Sequence, residues 1–237
     1  MEAYLFDEFD VLTPAAWKQK IQVDLKGADY NDSLLWKTNE GIIVKPFYTK
    51  EDRNKAQISL PSNGYKICQS IFIDDTTIAN KLALDALSRG ANSIQFVANK
   101  SFDYTTLLQN ITIQNSPIYF KFHFLNPDFI KELTTFYPDN DFYFQLDIIG
   151  NLAASGNWFS NLTSDIDNAK KISASGIANS ICVNASLYQN AGASMVQELA
   201  YALAHTNEYI EMFGSETATK IHYEFSVGNN YFFEIAT

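Results

Sequence analysis

The chain predicts an α/β fold of (β/α) barrel type, about six strands long, preceded by an extended and partly helical arm. Three observations predict it. From Tyr65 onward, strand-like and helix-like stretches alternate, a pattern that builds a parallel sheet with right-handed crossovers. The strands alternate apolar and polar residues, whereas central strands of an open doubly wound sheet are apolar on both faces. A polar face common to all strands, with helices over the apolar face, is satisfied by a barrel with a hydrophilic interior.

The arm, residues 1–64, reads differently from the remainder, 65–237. Thr13-Pro14 is a helix start, a capping hydroxyl followed by proline at the first helical position. Trp17, Ile21 and Leu25 recur every four residues and Gly27 suits the stop, so a helix is expected near 14–26. "GIIVKPFYT" (41–49) reads as a short strand cut by Pro46, and 50–64 as a polar connector holding Pro61 and Gly64. Trp17, Trp36 and Trp158 are candidate interface anchors, although for Trp17 packing of its own helix on the barrel is the favoured reading.

In the second part, strands are expected near 66–73, 93–98, 118–124, 142–148, 180–185 and 220–226. Helices are expected near 76–89, 103–110, 127–136, 164–175 and 193–213. In the last of these Val196, Leu199, Ala200, Leu203, Ile210 and Phe213 fall on one stripe, the face expected to be buried. Along the third strand Ile118, Phe120, Phe122 and Phe124 oppose Tyr119, Lys121 and His123. Along the fourth, Phe142, Phe144, Leu146 and Ile148 oppose Tyr143, Gln145 and Asp147. The same rule opposes Ile181 and Val183 to Cys182 and Asn184, and Ile221 and Tyr223 to His222 and Glu224. "NLAASGNWFSNLTS" (151–164) reads as a loop covering the mouth at the strand ends.

Composition narrows the function. The net charge is −10, from 27 acidic and 17 basic residues, with no Lys/Arg cluster. Such a chain lacks the electrostatic footprint of nucleic-acid binding and is repelled by anionic membranes. "MEAYLFDEFD" is not a signal peptide, and no apolar run approaches the roughly 18 residues that span a bilayer. Cys68 and Cys182 stand far apart without a CxxC, and His123, His205 and His222 are scattered, so neither a metal site nor a disulfide framework is expected. A reduced, cytoplasmic protein is the expectation. P-loop, GxGxxG, GxSxG and HExxH motifs are absent.

The inward ionisable residues are Lys121, His123, Asp147, His222 and Glu224. They could serve as general acids and bases, or form a charge-balanced core in which Lys121 and His123 neutralise Asp147 and Glu224. The second is favoured, because buried charges persist only when paired. Cys68 is expected to be a buried, inert thiol.

Three segments carry a family resemblance. "WKTNEGIIVKPFYTKED" (36–52), "NAGASMVQELAYALAHTNEYI" (190–210) and "FSVGNNYFFEIA" (225–236) resemble, in order, stretches of cobalamin-dependent methylmalonyl-CoA mutases. The resemblance implies a (β/α)8 barrel with coenzyme A threaded through a hydrophilic bore. It also implies adenosylcobalamin docked on one end, and radical interconversion of methylmalonyl-CoA and succinyl-CoA. In bacterial heterodimers of this family, a catalytic large subunit pairs with a related small subunit lacking the site.

"KICQS" stands where the catalytic chain has "TIRQY", which puts Cys68 at the arginine position and Ser70 at the tyrosine position. "ASLYQNAGA" stands where it has "GYHMQEAGA", which puts Leu187 at the histidine position. A neutral thiol cannot grip a carboxylate as a guanidinium does, and leucine cannot polarise a carbonyl. The cobalamin-domain signature DxHxxG is absent. The resemblance therefore implies a non-catalytic small subunit that binds no cofactor or metal itself, in a heterodimer whose large subunit carries adenosylcobalamin. The family adds two more strands after "EIAT", so the chain is expected to be a fragment of a longer subunit, or to be closed by a partner or a second copy. The competing expectation is a free-standing barrel enzyme or CoA-binding protein using Lys121, Asp147 and Glu224.

Overall fold

The computed structural model describes residues 9–10, 12–53, 64–111, 117–138, 141–229 and 234. Pro61 with most of the connector, and most of the segment after Asn229, lie outside the described residues. Two compact units are present, Met1–Ser62 and Asn63–Thr237.

In the first unit, Thr13 caps α1 (Pro14–Asp24), its hydroxyl accepting the Ala16 N–H at 3.2 Å. Lys26 and Gly27, at φ 52° and 97°, then turn the chain out of the helix. Asp29 caps α2 (Tyr30–Leu34), a short helix that the apolar pattern does not announce. The strands β1 (Trp36–Lys37) and β2 (Ile43–Val44) pair antiparallel. Helix α1 buries none of its residues, and Trp17, half exposed, meets Phe47 edge-on at 6.4 Å. Among the described residues of this unit only Thr38 is buried, so it has no apolar core there.

The second unit runs β3 (Cys68–Phe72), α3 (Thr76–Ser88), β4 (Ser93–Ala98), α4 (Tyr104–Leu107), β5 (Ile118–Phe122), α5 (Pro127–Phe136) and β6 (Phe142–Phe144). It continues with α6 (Ile148–Ser155), α7 (Leu162–Ala174), β7 (Ile181–Asn184), α8 (Ser186–Asn190), α9 (Met195–Phe213) and β8 (Ile221–Glu224). Strands β3-β4-β5-β6 pair in order and in parallel, and β7 pairs with β8 in parallel. Two backbone bonds join the ladders, Phe144 N–H to Asn179 O at 2.9 Å and Cys182 N–H to Leu146 O at 3.0 Å. The result is a parallel α/β sheet. Among the described residues no ladder joins β8 to β3, so the sheet is not closed.

The register explains the two faces. Phe96, Phe120 and Phe144 lie in one row, fully buried, with adjacent rings stacked at 5.8 and 5.7 Å. Each such side chain contributes on the order of 1.5–3 kcal/mol by leaving water, and the cross-strand stacking adds to it. The row on the opposite face is Ser70, Gln95, Tyr119 and Tyr143. The apolar–polar alternation is therefore real, and the polar rows face away from the helix-packed core.

Three local expectations are corrected. The strand expected at 142–148 ends at Phe144, because Asp147 caps α6 instead of continuing the strand. The loop expected at 151–164 is accordingly half helix, ending at Gly156 in the left-handed conformation (φ 73°). The third correction concerns α9. Its buried residues are Glu198, Ala202, His205 and Tyr209, while Val196, Leu199 and Leu203 are 64%, 45% and 57% exposed. The first half of the expected stripe faces outward while Ile210 and Phe213 stay half-buried, Phe213 against the apolar cluster, because the strand ends offer the other face polar partners and the small Ala202 permits close approach.

Candidate functional site

Asp147 follows β6 and is the most heavily used of the expected site residues. Its carboxylate accepts the Gly150 N–H at 2.7 Å, the Asn184 N–H at 2.8 Å and the Tyr209 O–H at 2.7 Å. His205 Nε2 also lies 3.0 Å from the same carboxylate, too oblique for a hydrogen bond. On the far side of that ring, His205 Nδ1 meets the Tyr188 hydroxyl at 3.2 Å. One buried carboxylate thus joins the start of α6, the end of β7 and α9, and the Tyr188–His205 contact ties α8 to α9. Gly150 is required beside it, since a Cβ there would run into the Asp147 carboxylate. Burial pushes the Tyr209 phenol well above its ordinary range, with the Asp147 charge adding to the effect, so it stays a donor.

Glu224 is used differently. Gln145 donates to it at 3.0 Å and accepts from Gln95, so β4, the segment after β6, and β8 are linked on the polar face. Beside this link Tyr119 packs on Tyr143 at 5.1 Å, and Tyr143 meets His222 edge-on at 5.2 Å. Burial lowers the His222 pKa to about 4, so the ring is neutral at pH 7.

Lys121, His123, Asp147 and Glu224 do converge. Together with Gln145, Cys182 and Asn184 they line one cavity of about 210 Å3 on the polar face. The expected charge pairing is corrected, however. Among the described residues no ion pair joins Lys121 or His123 to Asp147 or Glu224. Amide and hydroxyl donors satisfy the carboxylates instead, which costs less desolvation than burying two ions together. Backbone N–H donors, Gln145 and Tyr209 were the partners missing from the sequence reading. For Tyr209 the signal was the spacing of Glu198, Ala202, His205 and Tyr209 along one helical face.

Cys68 and Ser70 lie on β3, Ser70 in the row of Gln95, Tyr119 and Tyr143, and Cys68 opposite Ser93. Cys68 is exposed, not buried as expected, because β3 is an edge strand. Its thiol is nevertheless raised by partial burial against a bond to Ser93, the reverse of what activates a cysteine. Cys182 is fully buried and its thiol is pushed far up by the same cause. Leu187 sits in α8, whose neighbour Ser186 donates to Asn184 Oδ1 at 2.5 Å. Trp158 packs against the smaller apolar cluster around Val183 and Tyr209. Among the described residues no three His, Cys, Asp or Glu side chains gather as metal ligands, and no helix is long and apolar enough to cross a membrane.

Two of the three segments singled out in the sequence, 190–210 and 225–236, lie where a family model matches. The family model described as methylmalonyl-CoA mutase matches residues 142–237. A methylmalonyl-CoA mutase small subunit from Porphyromonas gingivalis is 29% identical over 274 residues, covering 98% of this chain. The chain spans 43% of the length of that relative.

Proposed function

We propose that the chain is a small-subunit-type member of the methylmalonyl-CoA mutase family, catalytically silent, that supports a catalytic large subunit. On this proposal the interconversion of methylmalonyl-CoA and succinyl-CoA, and the adenosylcobalamin it uses, belong to the partner in a cytoplasmic heterodimer. No cofactor is assigned to this chain.

One observation carries the proposal. The positions that would hold a guanidinium, a phenol and an imidazole hold Cys68, Ser70 and Leu187, and the carboxylates left on the polar face are committed to structural bonds. A general acid or base must exchange protons with substrate, whereas Asp147 already accepts three internal bonds and Glu224 holds Gln145. We also read the six strands as part of a (β/α)8 barrel. Gln95, Gln145 and Glu224 come from alternate strand positions and meet in one layer, which is how a closed barrel fills its interior. Residues 1–64 are the arm of this reading, with exposed Trp36, Ile42, Ile43 and Tyr48 available to a partner.

The test is co-expression with the large subunit. A stable complex is expected. The purified chain alone, given adenosylcobalamin and methylmalonyl-CoA, should produce no succinyl-CoA, and turnover by the chain alone would overturn the proposal. A second reading, a CoA-binding protein, draws on the cavity beside Lys121, whose ammonium has no ion pair among the described residues. Saturable binding of CoA to the isolated chain would favour it.

A further inference from the structure

We propose that the outer edge of β3 is a self-complementary surface on which a second copy of this chain docks, β3 against β3 about a two-fold axis at Ser70. β3 ends its ladder, and among the described residues no strand pairs with its outer side. Ile67 O accepts the Asn92 and Ser93 N–H groups, and the Ile73 N–H donates to Val97 O, so the odd-numbered residues face β4. The backbone groups of Cys68, Ser70 and Phe72 therefore point away from the sheet. The Gln69 side-chain amide turns over that edge and donates to Ser70 O at 2.9 Å, as it can where no strand lies alongside.

A row of open backbone groups calls for a strand, and sheet edges are commonly blunted by charge, proline or a bulge. From Ile67 to Ile73 this edge has no charged residue and no proline. Four of the five β3 residues are exposed, Phe72 at 52%, and Ile67 beside them is 53% exposed. A cavity of about 660 Å3 between β3 and α3, lined by Ile67, Leu82 and Ala86, continues the apolar surface.

The order of residues selects the occupant. Antiparallel pairing centred on Ser70 lets Cys68, Ser70 and Phe72 exchange both backbone bonds with Phe72, Ser70 and Cys68 of the second copy. The same register sets Ile67 against Ile73, and Lys66 against Asp74, so opposite charges meet at both ends of the pairing. Lys66 and Asp74 are exposed. Sliding the register by two residues sets Cys68 against Asp74 or Lys66 against Phe72, and both charge matches are lost. A two-fold contact of this kind closes on itself, so it gives a dimer and not a fibre.

This contact does not rest on the proposed role beside a large subunit. Sedimentation equilibrium of the purified chain should show a concentration-dependent dimer. Ser70→Lys sets like charges against each other at the axis and should weaken it about tenfold or more, with the circular dichroism unchanged because Ser70 is exposed. Asp74→Lys should weaken it several-fold, and Lys66→Asp/Asp74→Lys should restore it. Across the axis the two Cα atoms of position 70 stand about 5.5 Å apart, within disulfide reach. Cys68→Ser/Ser70→Cys should therefore give a reducible covalent dimer with oxidised glutathione. A chain that stays monomeric at every soluble concentration overturns the proposal. A monomer whose Cys68, Ser70 and Phe72 amides resist hydrogen exchange assigns the edge to its own chain and overturns the choice of occupant. A dimer indifferent to Ser70→Lys overturns this edge, and a dimer without the crosslink overturns the register. Where Ser70→Lys does not fold, the crosslink decides alone.

Discussion

Removing the Asp147 side chain should cost the second unit about 3–7 kcal/mol. The Asp147→Ala change deletes the cap of α6, which is worth about 1 kcal/mol. It also strands the Asn184 N–H and the Tyr209 O–H, at about 1–3 kcal/mol for each donor left unpaired in the interior. Asp147 is 8% exposed and Tyr209 1%, so water repairs little of the loss. At about 2–4 °C per kcal/mol for a chain of this size, the melting temperature should fall by roughly 6–28 °C. Urea titration followed by far-ultraviolet circular dichroism gives the free energy, and Asp147→Asn, which keeps one acceptor oxygen, should lose about half as much. The competing view makes Asp147 a catalytic carboxylate held for chemistry. Such groups are commonly maintained at the expense of stability, and replacing them is neutral or stabilising. A loss below about 1 kcal/mol, or any gain, would therefore refute the structural role.

Other consequences follow from the same geometry. Gly150→Ala places a more helix-favouring residue in α6, yet it should destabilise by about 2 kcal/mol or more in urea melts, because the new Cβ collides with the Asp147 carboxylate. His222, with its pKa lowered by burial to about 4 against 6.5 when unfolded, binds its proton more readily in the unfolded chain. It therefore contributes stability that is present above pH 6.5 and lost as pH falls toward 4, on the order of 3 kcal/mol at most. His222→Gln should flatten that part of the stability–pH curve relative to wild type, and parallel curves would count against the buried neutral ring. With a disulfide-exchange dye, native protein should titrate Cys68 slowly and Cys182 only after unfolding. Two thiols reacting at equal rates in the native state would contradict the burial of Cys182.

The strand faces were legible in the sequence because they obey a rule that needs no tertiary knowledge. Ile118, Phe120 and Phe122 alternate with Tyr119 and Lys121, and a pleated strand sends the two sets to opposite faces wherever it lies. The convergence of Lys121, His123, Asp147 and Glu224 on one cavity was legible for the same reason, once parallel neighbours in register were assumed. What the four residues do there was not legible, because charge signs alone do not reveal competing neutral donors. Asp147 could be paired with Lys121 on paper only while the Gly150 and Asn184 N–H groups were left out of the count.

Helix α9 is the sharper case. Hydrophobicity ranks Val196, Leu199 and Leu203 above Glu198, His205 and Tyr209, and a helix laid on a purely apolar sheet would bury the first set. The β6 and β7 ends are not purely apolar. The Asp147 carboxylate needs partners there, and Tyr209 supplies a hydroxyl while His205 spans the gap to Tyr188. Satisfying a buried carboxylate outweighs covering three leucine- or valine-sized side chains, since an unpaired charge in the interior costs several kcal/mol and an exposed aliphatic far less. The same preference that hides the polar stripe leaves Val196, Leu199 and Leu203 outside. Substituting Asp147 and His205 together by apolar residues of similar size removes the reason for that choice. Their combined effect on stability should therefore be smaller than the sum of the single replacements.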